Sequence, residues 1–238
     1  METNQNTLNK TARLAGLLYF LWVITGLFSL IYVPSKIMVR GDAVATTNNI
    51  LAHETLFRVS ILNDILCSII WVYIVLVLYR LFKHVNEHQA KLLFALVIVQ
   101  IPVSFMMDAF NITSLMLCKG EILKSFELAQ RQDLAMLFLK INDYGTLALE
   151  TFWGLWLFPF ALLVYKSGFI PRFLGIWLFV NGIAYLALSF TNILIPAYAD
   201  IITKITLPAM FGELAITLWL LIRGAKYNTP PIQQSLNQ

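Results

Sequence analysis

Six long apolar runs follow one another along the chain and are separated by short polar segments. A run of about 20 apolar residues is long enough to cross the hydrocarbon core of a bilayer as a helix. We therefore predict an all-α membrane protein, a bundle of six transmembrane helices. The predicted spans are residues 13–33, 56–82, 91–117, 134–165, 172–191 and 202–222.

The segments outside these spans divide the chain into one membrane domain and two polar ends. Residues 1–12 are polar and are predicted to be disordered, and residues 13–224 form the six-helix domain. Residues 225–238 contain two prolines and several glutamines, a composition typical of disorder, and are predicted to form a cytoplasmic tail. The loop between the first two spans is predicted to contain a short interfacial helix near residues 43–53.

The composition supports a membrane protein and reduces the number of possible binding partners. The chain is 59% hydrophobic and 13% charged, whereas a soluble domain carries about 25% charged residues. The net charge of +4 is small, and the positive residues cluster at span ends rather than on one face. This pattern argues against nucleic acid and favours the lipid bilayer as the partner. Because lysine and arginine are more frequent on the side that carries both ends of the chain, we expect both termini in the cytoplasm.

Acidic residues inside the spans fall at matching depths. Asp64, Asp108 and Glu150 each lie about 16 residues from the basic residue at the inner end of their span, or roughly 24–26 Å along the helix. Asn181 and Glu213 form a second level at about 14–15 Å, near the membrane midplane. Helical spacing places other polar residues on the same faces, and such faces turn inward because lipid offers them no partner.

These residues predict a polar pocket that is lined by acids and open to the outer side. Three carboxylates at one level cannot all stay ionised in a dry site. Protonation, a bound cation, water from the outer side, or Arg58 and Lys140 reaching toward them must compensate the charge. The fourth predicted span is about 48 Å long and should project beyond the bilayer, so its outer residues would line the mouth. The candidate ligand-binding residues are Arg58, Asp64, Asp108, Asn111, Lys140, Asp143, Glu150, Asn181 and Glu213.

Three functions remain open from these residues. The first is binding or transport of a small polar or cationic solute. The second is an intramembrane enzyme that acts on a lipid or a small hydrophobic substrate, which requires paired carboxylates around an accessible cleft. The third is a structural or signalling membrane protein whose polar residues only fix helix packing.

Neither a cofactor nor a metal is predicted. His84-Val85-Asn86-Glu87-His88 fits the H-x-x-E-H pattern of some zinc proteases. The match falls in a short link between spans rather than on a helix beside a cleft, so we interpret it as a chance occurrence. The predicted membrane interior has no histidine to ligate zinc.

Several short motifs resemble those of a bacterial integral-membrane family, domain of unknown function 4386 (DUF4386). The motifs are Arg13-x-x-Gly16-x-x-Tyr19, Leu56-Phe57-Arg58, Phe152-Trp153-Gly154-Leu155-Trp156-Leu157, Lys166-Ser167-Gly168-x-x-Pro171-Arg172-x-x-Gly175 and Gly212-Glu213-Leu214. The resemblance implies a multi-pass protein of the bacterial cytoplasmic membrane. It implies no established activity and therefore no catalytic residues.

Overall fold

The computed structural model describes residues 2–226, with side chains from Gln5 onward. This part of the chain is helical and contains no strand. Its α-helices are α1 Glu2–Leu27, α2 Val33–Ile37, α3 Ala43–Ala52, α4 Glu54–Phe82, α5 Glu87–Ile98, α6 Gln100–Lys119, α7 Leu128–Lys166, α8 Arg172–Leu194 and α9 Ala199–Ile222. A π-helical turn joins α1 to α2, and a 3-10 turn precedes α9.

Six stretches of the described chain are long and apolar enough to cross a membrane, which confirms the predicted fold class. We call them the first to sixth spans: Gln5–Ile37, Glu54–Phe82, Glu87–Lys119, Leu128–Lys166, Arg172–Leu194 and Pro196–Ile222. The helices extend beyond several predicted bounds because polar end residues continue the helical hydrogen bonding.

Side chains at the helix ends explain where several helices begin and stop. The Asp42 carboxylate accepts a hydrogen bond from the Ala45 amide at 2.8 Å and caps α3, which is the helix predicted near residues 43–53. Asn86 caps α5 in the same way through the Gln89 amide. Gly120 ends α6 with φ 68°, a left-handed conformation that glycine adopts without a steric penalty.

The third span is interrupted near its middle. α5 ends at Ile98 and α6 begins at Gln100. Pro102 lies in the first turn of α6 and lacks the amide hydrogen that would otherwise bond to the Ile98 carbonyl, so the interruption falls where a proline favours it. The Gln100 side chain donates to the Leu96 carbonyl at 2.7 Å across the break.

The long helix α7 packs against α3, α5, α6 and α8, while α1 packs against both α4 and α9. Glycines bring α7 and α8 together. A Cβ atom at Gly154 would lie 2.7 Å from the Gly182 carbonyl oxygen, and one at Gly175 would lie 2.8 Å from the Ala161 carbonyl oxygen. Because these distances are too short for any side chain, the backbones approach as closely as they do only with glycine there.

The N-terminal segment differs from the prediction. Residues 2–12 were expected to be disordered, but the helix α1 begins at Glu2. The Gln5 side chain donates to the Ala225 carbonyl at 2.8 Å, and the Asn9 side-chain oxygen accepts from the Ala225 amide at 3.2 Å. Through these bonds, the polar residues hold the two ends of the described chain together. Residues 227–238 of the predicted tail lie outside the described residues.

Candidate functional site

A carboxyl group inside the sixth span contacts polar side chains from the first and fifth spans. The Tyr19 hydroxyl donates to Glu213 Oε1, and Asn181 Nδ2 donates to Glu213 Oε2 at 3.4 Å. Tyr185 also faces this carboxyl group and interacts with it. We call Tyr19, Asn181, Tyr185 and Glu213 the Glu213 cluster. It joins the first, fifth and sixth spans, as the matching depths of Asn181 and Glu213 suggested.

Tryptophan rings enclose the Glu213 cluster. The ring of Tyr19 lies 5.7 Å from that of Trp71 and 6.3 Å from that of Trp156, and both tryptophans are buried. Trp153 packs edge-on against Tyr185 at 5.8 Å. These rings surround a polar carboxyl group with hydrocarbon, so its hydrogen bonds meet little competition from water.

Asp64 and Asp108 form a second group of acids, between the second and third spans. The two carboxyl groups are close enough to interact electrostatically. Asp108 is only 5% exposed, and its Oδ2 atom has no hydrogen-bond partner. Ser29, in the π-helical turn, faces Asp64. A buried carboxyl oxygen with no partner is costly and marks a place where a proton or ligand would be stabilised.

Polar residues of the first and second spans support this group from one side. Asn63 Nδ2 donates to the Thr25 carbonyl at 2.9 Å and to the Ser29 hydroxyl at 2.8 Å. The Cys67 thiol lies 3.0 Å from the Thr25 hydroxyl. The bonds fix the orientation of Ser29, the residue that faces Asp64.

Glu150, the third acid predicted at the level of these aspartates, is close enough to the Glu213 cluster to interact with it. It is half-buried, its Oε2 atom has no hydrogen-bond partner, and it interacts electrostatically with Tyr185 of the Glu213 cluster. Among the described side chains, no hydrogen bond joins Glu150 to Asp64 or Asp108.

Among the described residues, neither Arg58 nor Lys140 forms an ion pair with Asp64, Asp108 or Glu150. Arg58 is exposed, and its guanidinium pairs with Glu54 at 2.7 Å on the surface. Lys140 is exposed on α7 and interacts with Asp143, which is also exposed. Both residues lie in the N-terminal half of a 39-residue helix. Arg58 was expected to reach toward the acids, but it pairs with Glu54, four residues earlier on α4.

The last of the nine predicted residues, Asn111, is half-buried on α6. In the described part of the chain, no three His, Cys, Asp or Glu side chains are placed to hold a metal ion. A cavity of about 700 Å³ lies on the outside of the bundle between α5, α7 and α8, and none of the nine predicted residues lines it.

Two members of the Glu213 cluster were absent from the predicted site. Tyr185 falls on the same helical stripe as Asn181, four residues later, which was the available signal. Tyr19 lies in the middle of its span, whereas tyrosines that anchor a span sit at its ends. That position indicates a hydroxyl group with an internal partner.

Comparisons with known proteins give a family but no activity. An uncharacterized protein from Archaeoglobus fulgidus is 32% identical over 89 residues, which cover 37% of this chain and 49% of that protein. The chain therefore aligns with about half the length of this relative. No solved structure matches the chain. The profile of the family described as "Domain of unknown function (DUF4386)" matches residues 14–224, which include both groups of acids. The chain belongs to the DUF4386 family.

Proposed function

We propose that the protein binds or transports a small cationic or polar solute through a polar pocket that opens on the side opposite the termini. One observation carries the proposal: Asp64, Asp108, Glu150 and Glu213 lie inside the bundle without a basic partner. The ion pairs of the described chain all lie at span ends and join Arg58, Lys91 or Lys119 to Glu54, Glu87 or Glu121.

Carboxyl groups in these surroundings need compensation. An ionised carboxylate without a partner is very costly in a water-poor environment. A proton or a bound cation removes that cost, and the two compete for the same oxygen atoms. The unpartnered oxygens of Asp108 and Glu150 are the atoms at which such an exchange has most to gain. Binding of a cation in exchange for protons is the chemistry that this arrangement favours.

The order of the acids along the bundle favours a path for the solute over a single binding site. By residue count, Asp64, Asp108 and Glu150 share one level and Glu213 lies deeper. Asp64 interacts with Asp108, Glu150 interacts with Tyr185, and Tyr185 interacts with Glu213. A solute that enters from the outer side would meet the aspartate pair first and the Glu213 cluster second. We place the protein in the cytoplasmic membrane, with both termini in the cytoplasm.

Thermal unfolding of the purified protein in a mild detergent tests the proposal. Sodium, potassium and tetramethylammonium chlorides serve as probes at constant ionic strength and at several pH values. A ligand at 100 times its Kd stabilises the folded state by about 2.7 kcal/mol. We expect at least one cation to raise the melting temperature, and the effect to weaken at low pH because protons compete.

Three variants locate the effect. Asp64→Asn, Asp108→Asn and Glu150→Gln should each abolish the stabilisation by the cation. Asp133→Asn is the matched control, because Asp133 is an exposed acid near the start of α7. If the three variants respond as the wild type does, or if none of the probes stabilises the wild type at any pH, the proposal is wrong.

A further inference from the structure

The cavity outside the bundle has the form of a groove for a hydrocarbon chain. α5, α7 and α8 form its walls, and it opens sideways toward the lipid. Its lining is aliphatic and aromatic apart from Gln89 and the Tyr165 hydroxyl. Its lining includes Gln89 and Leu96 of α5, Leu155 and Tyr165 of α7, and Gly175 and Ile176 of α8.

A glycine and a proline in the groove lining help to keep the groove open. Gly175 forms part of its lining and has no side chain to fill it. The same glycine allows α8 to approach Ala161 of α7, so the two helices form a continuous floor. Pro159, inside α7, lines the groove as well. α5 and α8 lie on different sides of α7. The space between them therefore stays open as the groove.

The length of the groove corresponds to one leaflet. Along α7 it runs from Tyr165 to Leu155, ten residues, or about 15 Å. This is half of a hydrocarbon core of about 30 Å. Tyr165 and Gln89 mark the end at the membrane surface, and Leu155 and Leu96 mark the deep end.

Two positive charges stand at the surface end. Lys166 follows Tyr165 directly, and the Arg172 guanidinium lies 5.4 Å from the centre of the Tyr165 ring. Both basic residues are exposed, and neither belongs to an ion pair among the described residues. An arginine and a lysine together suit a phosphate group, the first through its planar fork and the second as a point charge.

We propose that this groove is a binding site for an anionic phospholipid. One acyl chain lies along α7 between α5 and α8, and Lys166 and Arg172 hold the phosphate headgroup. The site occupies the leaflet on the side of the termini. It shares no residue with the acids inside the bundle, so it stands whether or not those acids bind a solute.

Native mass spectrometry of the full chain tests the site. The protein is released from detergent micelles that contain phosphatidylglycerol and phosphatidylcholine in equal amounts. We expect one phosphatidylglycerol molecule to remain bound at lipid concentrations at which phosphatidylcholine does not. Equal retention of the two lipids, or retention of neither, would overturn the proposal.

A pair of substitutions on one helix separates the groove from ordinary lipid contact. Ile176 lines the groove and is 56% exposed, whereas Phe173 on the same helix is 55% exposed and lies outside it. Ile176→Trp fills the groove and should lower retention of phosphatidylglycerol at least tenfold. Phe173→Trp should leave retention unchanged. Equal loss in both variants, or loss in neither, would mean that the lipid binds elsewhere.

Charge variants test the headgroup contact. Lys166→Gln and Arg172→Gln should each weaken phosphatidylglycerol binding about fivefold, the effect of one basic residue at an anionic surface. Lys10→Gln is the control, because Lys10 is an exposed cation of α1, a helix that does not line the groove. Far-ultraviolet circular dichroism and the elution volume confirm that each variant is folded. Phosphatidylglycerol binding that is insensitive to both substitutions would exclude Lys166 and Arg172 as the headgroup site.

Discussion

The hydroxyl group of Tyr19 donates a hydrogen bond to the carboxyl group of Glu213, a residue 194 positions later in the chain. The bond joins the first span to the sixth inside a shell of aromatic rings. Without it, Glu213 would keep its weaker contact with Asn181 and its interaction with Tyr185. The Tyr19 hydroxyl would be the strongest donor lost from the cluster.

Tyr19→Phe should therefore destabilise the protein. The change removes one donor from a carboxyl group shielded from water, a loss of about 1–3 kcal/mol. Denaturant unfolding in a mild detergent measures it. Tyr73→Phe is the control: Tyr73 is 58% exposed on the second span, and its removal should change stability by less than about 0.5 kcal/mol. Equal losses in the two variants would contradict the assigned role of Tyr19.

Gly154→Ala should destabilise the contact between α7 and α8. The added methyl group would lie 2.7 Å from the Gly182 carbonyl oxygen, which belongs to backbone and cannot rotate away. Forcing a methyl group into such a site costs about 1–3 kcal/mol. The same unfolding assay reports the change.

Gly26→Ala is the matched control for that substitution. A Cβ atom at Gly26 would meet nothing within 4 Å, and the residue lies within α1. Alanine is favoured over glycine in a helix by up to about 1 kcal/mol, so stability should stay the same or rise. A loss at Gly26 as large as that at Gly154 would refute the steric argument.

The N-terminal residues should contribute to stability although they precede the apolar run. The double variant Gln5→Ala and Asn9→Ala removes both side-chain bonds to Ala225 and should cost about 1–2 kcal/mol. Asn6→Ala, at an exposed position between them, should cost less than about 0.5 kcal/mol. Protease protection of the N-terminus provides a second readout, and a wild-type level of protection in the double variant would argue against these bonds.

Arg58→Ala should have a small effect. Arg58 shares Glu54 with Lys119, which lies 3.1 Å from the same carboxylate oxygen. Surface pairs of this kind contribute up to about 1 kcal/mol, and Lys119 remains in the variant. The response to cations should be unchanged. If the Arg58→Ala variant no longer responded to cations, Arg58 would have to be part of the acid site after all.

The orientation in the membrane can be measured directly. We expect a C-terminal fusion to green fluorescent protein to fluoresce and a C-terminal fusion to alkaline phosphatase to be inactive, because the excess of lysine and arginine places both termini in the cytoplasm. Fusions after Lys124, in the loop between the third and fourth spans, should behave in the opposite way. The reverse pattern would place the proposed solute entrance on the cytoplasmic side.

Hydrophobic length and helix rise were sufficient to predict the spans and one real contact. Asn181 and Glu213 were assigned the same depth by counting residues, and their side chains are 3.4 Å apart. The same count placed Glu150 beside Asp64 and Asp108, but depth alone does not specify the angle at which a helix presents a side chain. Glu150 interacts with Tyr185.

Other features depended on contacts between distant parts of the chain. α1 begins at Glu2, where composition indicated disorder, because its polar residues bond to Ala225 at the other end of the described chain. Neither segment shows this pairing in its own composition. Arg58 was expected to reach toward the acids, but Glu54, four residues earlier on the same helix face, is its partner.

The packing of the first span against the sixth constrains how the protein is assembled during synthesis. The Arg13 guanidinium donates to the Ile222 carbonyl, 209 residues away. At ribosomal rates of about 5–20 residues per second, roughly 10–40 s separate the emergence of these partners. The polar groups of the first helix therefore lack their hydrogen-bond partners in the last helix until that helix has been synthesised and inserted. Insertion factors that retain early helices would protect the nascent chain during this interval.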